Sequence, residues 1–133
     1  MASSEKSTLP KNVNVKEAFE ILKANPSIKY LDVRTLEEVK ASGTAPGAKV
    51  VPILEGPSMQ PNLKFVNQVK SLIGDTSTPI IVGCKSGRRS QMAIQVMEEA
   101  GYTELANLNS GFDGWKAEGL PAEIAPIEAF SSL

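Results

Sequence analysis

The sequence predicts a single α/β domain, with a central parallel sheet of about five strands flanked by helices on both faces. The chain has 133 residues, which suits one domain and is too short for two. Ile80–Gly83 is a short, β-branched run without alternation, typical of a central parallel strand buried on both faces. Similar apolar runs alternate with segments of helical periodicity, which favours βαβ units around a parallel sheet.

One helix and one strand are predicted in the first quarter of the chain. Asn14, followed three residues later by Glu17, matches a capping box that begins the helix, and Asn25-Pro26 predicts its end. Ile28–Val33 is rich in apolar residues and is predicted to be a strand.

A short helix, a strand and a loop are predicted next. Thr35–Glu38 matches a second capping box, and Gly43 is expected to end the short helix that it opens. Lys49–Ile53 is predicted to be a strand. Residues 54–61 contain three prolines or glycines and show no periodicity, so they are predicted to be a loop.

The second half of the chain continues the alternation. A helix is predicted from Asn62 to Ile73, ended by Gly74, and another follows residue 91. A last short strand is predicted at Glu104–Leu108, and a brief helix or turn that carries Trp115 at Gly111–Gly119. Four apolar residues are expected on the buried face of the first of these helices: Leu63, Val66, Val69 and Ile73.

The organised domain is expected to extend from residue 11 to residue 122. Residues 1–10 are Ser-rich and polar and are predicted to be a flexible N-terminal tail, and residues 123–133 a C-terminal tail. No apolar run approaches membrane-spanning length and no segment resembles a secretory leader, so a soluble, cytoplasmic protein is expected. The alternative is a chloroplast protein whose tail is the remnant of a transit peptide.

Charge and cysteine content exclude several classes of function. A net charge of −1 gives no overall attraction to nucleic acid or to an anionic membrane, so neither is an expected partner. Cys84 is the only cysteine and the chain has no histidine, which excludes an internal disulfide, a cysteine-rich zinc site and a Cys-His catalytic pair. We expect a monomer without metal or cofactor.

The polar turn after the predicted central strand is the candidate functional site. It begins with Cys84 and holds three cations, Lys85, Arg88 and Arg89, before helical periodicity starts. Loop N–H groups, the positive end of the helix dipole and the nearby cations all favour thiolate over thiol. Cys84 is therefore predicted to be a nucleophile in a site that binds anions.

Acidic residues at the same edge of the sheet have structural explanations. Asp32 and Arg34 end the neighbouring strand, and we expect them to pair with each other and to support the loop rather than to react. Glu37 and Glu38 are explained by the start of a helix, not by a catalytic pair of carboxylates.

Four stretches carry a resemblance to a known family. Cys84–Ser90 follows an apolar strand, Tyr30–Thr35 precedes Glu37-Glu38-Val39, Pro46–Ala48 precedes another apolar strand, and Gly111–Pro121 includes Trp115. Taken in chain order, from residue 30 to residue 121, they resemble the motifs of the rhodanese family of sulfurtransferases, in its single-domain form. Among the branches of that family, the chain looks most like the small plant proteins linked with senescence. The family usually has Gly-His-Ile where this chain has Gly43-Thr44-Ala45, and so no role of that histidine can be carried over.

The resemblance implies an enzyme, a thiosulfate sulfurtransferase with ping-pong transfer. Cys84 would take a sulfane sulfur from thiosulfate or 3-mercaptopyruvate to form a persulfide, and would pass it to cyanide or a thiol. Thiosulfate is the expected donor, because it carries two negative charges and mercaptopyruvate one, and the loop offers three cations to bind them and no acidic residue. Five loop residues are expected to bind the donor: Lys85, Ser86, Gly87, Arg88 and Arg89. Three residues are expected to support the loop: Asp32, Arg34 and Ser90.

Other functions stay open at this point. They are a transferase that prefers mercaptopyruvate, a phosphatase or arsenate reductase on the same fold, and a non-catalytic binding module. A cysteine phosphatase normally has five residues between nucleophile and arginine, whereas Arg89 follows Cys84 after four. A reductase would need a resolving thiol, which the chain lacks. Binding modules of this family commonly lose the cysteine, which this chain keeps.

Overall fold

Seven strands and five helices make up a computed structural model that describes residues 9–133. The strands are β1 (Asn12–Val13), β2 (Lys29–Asp32), β3 (Lys49–Val50), β4 (Leu54–Glu55), β5 (Gln60–Pro61), β6 (Ile80–Gly83) and β7 (Leu105–Leu108). The helices are α1 (Val15–Ala24), α2 (Leu36–Ser42), α3 (Phe65–Leu72), α4 (Arg88–Glu99) and α5 (Gly111–Ala117), followed by a 3-10 turn at Ile127–Ala129.

A five-stranded parallel sheet forms the centre of the domain, as predicted. Its strand order is β1-β7-β6-β2-β3, so β6 lies in the middle, between β7 and β2. In the register of β2 and β6, Asp32 is opposite Gly83. The segments that follow these two strands therefore leave the same edge of the sheet side by side, with Cys84 on one and Arg34 on the other.

Helices cover both faces of this sheet, as predicted, because alternate residues of each strand point to opposite sides. Ile80 and Val82 pack in a core with residues of α3 and α4, whereas Ile81 packs in a second core with residues of α1 and α5. All three are 0% exposed. Within residues 9–133, none of the helices combines the length and the apolar character needed to cross a membrane.

Both predicted capping boxes are present. Asn14 Oδ1 accepts from the Glu17 N–H at 2.8 Å, and the Glu17 carboxylate accepts from the Asn14 N–H at 2.9 Å. Thr35 and Glu38 make the same reciprocal pair at the start of α2, and Gly43 ends that helix at φ +80°. These starts depend on residues three positions apart, which is why local pattern was sufficient to find them.

The prediction for residues 54–73 is wrong in two respects. The helix begins at Phe65, not at Asn62, and Leu63 is 94% exposed instead of lying on the buried face. The Asn62 side chain donates to the Pro52 carbonyl at 2.8 Å, which holds the chain in a turn before the helix starts. The predicted loop at 54–61 contains the antiparallel pair β4 and β5.

The ends of the domain also differ from expectation. The edge strand β1 was not predicted, and β3 is shorter than the predicted Lys49–Ile53. In the predicted C-terminal tail, Glu123 bridges to Thr44, Phe130 bridges to Val50, and Ala129 is 2% exposed. Residues 1–8 of the predicted N-terminal tail lie outside the described part of the chain, and Leu9 packs against the core.

Candidate active site

The Cys84 thiol lies at the base of the loop between β6 and α4. The residue is 1% exposed, and the Gly87 N–H donates to its Sγ at 3.0 Å. Gly87 caps α4 in a left-handed conformation, at φ +107°, and a Cβ there would lie 2.5 Å from the Asn109 carbonyl oxygen. The loop therefore needs a glycine at this position to close around the sulfur.

The start of α5 holds the loop in this shape. The Phe112 N–H donates to the Cys84 carbonyl at 2.7 Å, and the Asp113 N–H donates to the Lys85 carbonyl at 3.1 Å. The C=O and N–H of one peptide unit point in opposite directions, so turning the Lys85 carbonyl towards α5 turns the Ser86 N–H towards the sulfur. Gly111 allows this approach, since a Cβ there would lie 2.6 Å from the Cys84 carbonyl oxygen.

A buried polar pair lies behind the sulfur. Cys84 Sγ donates to Ser90 Oγ at 3.5 Å, and the Ser90 hydroxyl donates in turn to Asn107 Oδ1 on β7. Ser90 is 0% and Asn107 4% exposed. Asn107 was not singled out from the sequence, because it lies on a different strand and belongs to no local motif.

Two opposing influences act on the pKa of the Cys84 thiol. Burial raises it, but hydrogen bonds from the Ser90 side chain and from the backbone N–H groups of Ser90, Gly87 and Ser86 together hold the pKa below its ordinary value. Donors aimed at a sulfur stabilise its ionised form. The loop is thus built to favour a thiolate without help from histidine.

The three cations of the loop have different surroundings. Lys85 pairs with Asp113 at 3.0 Å, and both side chains are more than half exposed. Arg89 donates through both terminal nitrogens to Glu38, at 2.7 and 2.9 Å. Arg88 is exposed and makes no ion pair with any residue in the described part of the chain. The sequence offered all three cations as donors for an anion, and of these three only Arg88 has no carboxylate partner within residues 9–133.

Glu38 therefore has two roles, of which sequence reasoning found one. Its carboxylate accepts from Thr35 as part of the capping box and also accepts from Arg89. The hydrogen bonds from Arg89, with smaller help from Thr35, overcome the effect of burial and lower the pKa of Glu38 to about 2. The carboxylate connects the start of α2 to the start of α4.

Asp32 and Arg34 form the buried ion pair that was expected. Arg34 Nη2 lies 2.6 Å from Asp32 Oδ2, and the side chains are 3% and 0% exposed. Arg34 also donates to the Gly43 carbonyl at 2.7 Å, and Thr44 donates to Asp32 at 2.7 Å. Thr44 occupies the position at which the family usually has histidine, and its hydroxyl gives the Asp32 carboxylate a further hydrogen bond.

This pair reaches the loop through one intermediate contact. The Arg34 guanidinium lies 4.1 Å from the centre of the Phe112 ring, and the Phe112 N–H holds the Cys84 carbonyl. Phe112 and Asp113 were not predicted as site residues, although the resemblance at Gly111–Pro121 pointed to their segment. The feature of the sequence that could have identified them is Gly111, the glycine that lets α5 approach the loop.

The chain is similar to known proteins over most of its length. The family model described as Rhodanese-like domain matches residues 14–118. Thiosulfate sulfurtransferase 16, chloroplastic, from Arabidopsis thaliana is 38% identical over 122 residues, which cover 90% of this chain and 98% of that protein. Senescence-associated protein DIN1 from Raphanus sativus is 34% identical, over 92% of this chain and 66% of that protein. The crystal structure of Rv0390 from M. tuberculosis superposes with a TM-score of 0.72 at 29% identity, covering 86% of this chain and 97% of that one.

Proposed function

The chain belongs to the rhodanese-like domain family, and we propose on this premise that it is a thiosulfate sulfurtransferase that works through a persulfide on Cys84. Relatives that cover most of the chain are named thiosulfate sulfurtransferase, which supports sulfurtransferase activity. The proposal rests on one observation: the Gly87 N–H donates to the Cys84 sulfur at 3.0 Å, inside a loop that lowers the pKa of the thiol.

In the first step, the Cys84 thiolate attacks the outer sulfur of thiosulfate. A bond forms between Sγ and that sulfur, the S–S bond of thiosulfate breaks, and its electron pair leaves with sulfite. A Cys84 persulfide anion remains, and the total charge is unchanged. Arg88 is the residue best placed to meet the dianion, because Lys85 and Arg89 already have carboxylate partners.

In the second step, a nucleophilic acceptor takes the outer sulfur. Cyanide or a thiolate attacks that sulfur, the bond to Sγ breaks, and Cys84 leaves as a thiolate, ready for another cycle. The N–H groups of Ser86 and Gly87, which favour the thiolate before reaction, also stabilise it as the leaving group. One set of donors thus serves both half-reactions.

The remaining assignments follow from the same positions. Gly87 shapes the loop, Ser86 contributes a backbone donor, and Ser90 contacts the sulfur from behind. Asp32 and Arg34 support the segment through Phe112. A relative named chloroplastic favours the chloroplast over the cytoplasm as the compartment of this protein.

The test is to follow the sulfur on the protein. After incubation with thiosulfate and removal of excess donor, mass spectrometry of the intact chain is expected to show one added sulfur atom, which cyanide then removes as thiocyanate. Cys84→Ser is expected to show neither the added mass nor turnover, since a serine hydroxyl lacks the low pKa of the thiol.

Two controls make this test specific. Ser71→Ala changes an exposed hydroxyl on α3 and should leave the persulfide yield unchanged. A phosphate monoester offered in parallel should not be hydrolysed, because only four residues separate Cys84 from Arg89. No added sulfur on the wild-type chain, turnover that persists in Cys84→Ser, or hydrolysis of the phosphate ester by the intact chain without persulfide formation would contradict the proposal.

A further inference from the structure

The Cys84 sulfur and the Asn107 amide oxygen can each accept the hydroxyl proton of Ser90. Cys84 Sγ lies 3.5 Å from Ser90 Oγ, and the same oxygen is hydrogen-bonded to Asn107 Oδ1. Both Ser90 and Asn107 are buried. A hydroxyl has a single proton, so Ser90 can donate to the sulfur or to Asn107, but not to both.

These two choices have opposite effects on Cys84. When Ser90 donates to Asn107, its oxygen can only accept from the sulfur, and that favours the protonated thiol. When Ser90 donates to the sulfur, it favours the thiolate, and hydrogen bonds to an ion are stronger than bonds between neutral groups. The direction of one hydroxyl therefore influences how much of the nucleophile is ionised.

The Asn107 side chain can support either direction. Its amide carries an acceptor and a donor on groups of nearly equal size, so exchanging them leaves the neighbouring atoms in place. With Oδ1 towards Ser90 the amide takes the hydroxyl proton. With Nδ2 towards Ser90 it donates to Oγ and leaves that proton for the sulfur. The other end of the amide meets Asn12 at 3.5 Å, and Asn12 is exposed on β1, so its own amide can turn in water.

We propose that the Asn107 amide sets the direction in which Ser90 donates, and that Asn107 is thereby a positioning residue for the Cys84 nucleophile. When Cys84 ionises, the Sγ proton passes to water, the Ser90 O–H turns to the sulfur, and Nδ2 replaces Oδ1 beside Ser90. The inference deepens the proposed function, since it concerns the same nucleophile. It rests on the ionisation of Cys84, which can be measured without a sulfur donor.

Other ionisable groups near Cys84 are left unchanged by the substitutions that test this. Tyr30 on β2 and Arg89 on α4 lie close enough to interact electrostatically with the sulfur. Arg88 has no carboxylate partner among residues 9–133, and the other charged side chains around the loop form the three ion pairs described above: Asp32 with Arg34, Glu38 with Arg89, and Asp113 with Lys85.

The first test replaces Asn107 by an acceptor that cannot donate. In Asn107→Asp the carboxylate holds the Ser90 proton away from the sulfur, so the pKa of Cys84 is expected to rise by about one unit, a tenfold loss of thiolate below the pKa. The measurement is the rate of alkylation by iodoacetamide against pH, on the full chain without thiosulfate. An unchanged or lower pKa would overturn the proposal.

Repeating Asn107→Asp in the Ser90→Ala variant distinguishes an effect that acts through the Ser90 hydroxyl from a direct effect of the added charge. The added carboxylate also repels the thiolate directly, and that effect persists without Ser90, whereas the effect through the hydroxyl does not. Asn107→Asp is therefore expected to shift the pKa of Cys84 less than half as far in Ser90→Ala as in the wild type. Equal shifts in the two backgrounds would mean that Asn107 does not act through Ser90.

Asn107→Leu gives a second test, with a side chain of similar size and no charge, and it decides the matter if Asn107→Asp does not fold by circular dichroism. Without the amide oxygen nothing competes with the sulfur for the Ser90 proton, and in the thiol form the buried Ser90 O–H is left without an acceptor, so the thiolate is favoured. The pKa of Cys84 is expected to fall in Asn107→Leu and to be the same in Ser90→Ala as in the double variant; a rise, or equal shifts in the two backgrounds, would overturn the proposal. A chain that shows these shifts but forms no persulfide would overturn the proposed function alone.

Discussion

Two arginine–carboxylate pairs lie at the carboxyl edge of the sheet, and they differ mainly in burial. Arg34 and Asp32 are 3% and 0% exposed, and the pair also contacts Thr44 and the Gly43 carbonyl. Arg89 and Glu38 are paired just as closely, but their side chains are 14% and 26% exposed.

Because of this difference in burial, the Asp32–Arg34 pair is a fixed support of the fold, whereas the Glu38–Arg89 pair can rearrange when a ligand binds. Removing one partner of a buried pair leaves the other charge without water or counter-ion, so the Asp32 pair has no alternative arrangement. The Glu38 pair is partly hydrated, and Arg89 belongs to the loop that would meet an anionic donor. The Asp32–Arg34 pair therefore stabilises the fold, whereas the similar Glu38–Arg89 pair lies beside the candidate active site.

The largest expected effect comes from breaking the buried pair. Asp32→Ala leaves the Arg34 guanidinium buried without its carboxylate, and is expected to cost about 3–5 kcal/mol of the free energy of unfolding. Asp113→Ala is the matched control, because it removes the carboxylate of the exposed Lys85 pair and should cost less than about 1 kcal/mol. Urea unfolding of both variants measures the comparison, and equal costs would contradict it.

A smaller effect is expected at the arginine without a carboxylate partner among the described residues. Arg88→Ala is expected to lower kcat/KM for thiosulfate by about tenfold, the equivalent of one charge-assisted hydrogen bond in a partly hydrated site. The loss should be smaller for 3-mercaptopyruvate, which carries one negative charge, and added salt should reduce it.

Lys85→Ala is the control for this experiment. Lys85 is nearer to the nucleophile in sequence than Arg88, but its charge is balanced by Asp113, so the loss for thiosulfate should stay within about twofold. If the two variants lose activity equally, or if both donors suffer equally in Arg88→Ala, the assignment of the donor to Arg88 is wrong.

The smallest effect is expected from the partly exposed pair of Glu38 and Arg89, and it depends on pH. Glu38→Gln is expected to cost about 1 kcal/mol of stability at pH 7, after allowance for solvent screening. The folded pKa of Glu38 is lowered from 4.5 to about 2. The stabilisation is therefore fully present above about pH 4.5 and is lost as the pH falls towards 2.

Glu37→Gln, at the exposed neighbouring position, provides the baseline. The difference in unfolding free energy between the two variants should be constant from pH 5 to pH 7 and should shrink below 4.5. With Glu38 neutral, Arg89 is released towards an incoming dianion, so KM for thiosulfate is expected to fall. A difference that persists down to pH 2 would show that Glu38 acts by packing rather than by charge.

The sequence predicted those parts of the fold and site that depend on neighbours in the chain. The capping boxes at Asn14 and Thr35 each need two residues three positions apart, and β6 is a continuous β-branched run. The loop at Cys84 was found because nucleophile, glycine and cations lie within seven positions. Local order was also enough to place Asp32 near Cys84, since Asp32 ends β2 and Cys84 follows β6 at the same edge of the sheet.

The parts that were missed depend on contacts between distant segments. Glu38 and Arg89 are 51 positions apart, and Asn107 lies 17 positions from Ser90, so no spacing in the sequence suggested either contact. The two-residue strand β1 is too short to show a period. At Asn62 the apolar run behind it suggested a helix, but its Nδ2 donates to the Pro52 carbonyl and its Oδ1 accepts from the Lys64 N–H, which holds a turn before the helix begins at Phe65.

The hold of α5 on the loop has a consequence for the order in which the protein becomes reactive during synthesis. Cys84 leaves the ribosome well before Phe112 and Asp113, whose N–H groups bind the Cys84 and Lys85 carbonyls. A nascent chain that ends before α5 therefore carries the thiol but lacks the contacts that turn the loop's N–H groups onto it. The cysteine is translated first, and it gains the contacts that lower its pKa only after α5 has been made.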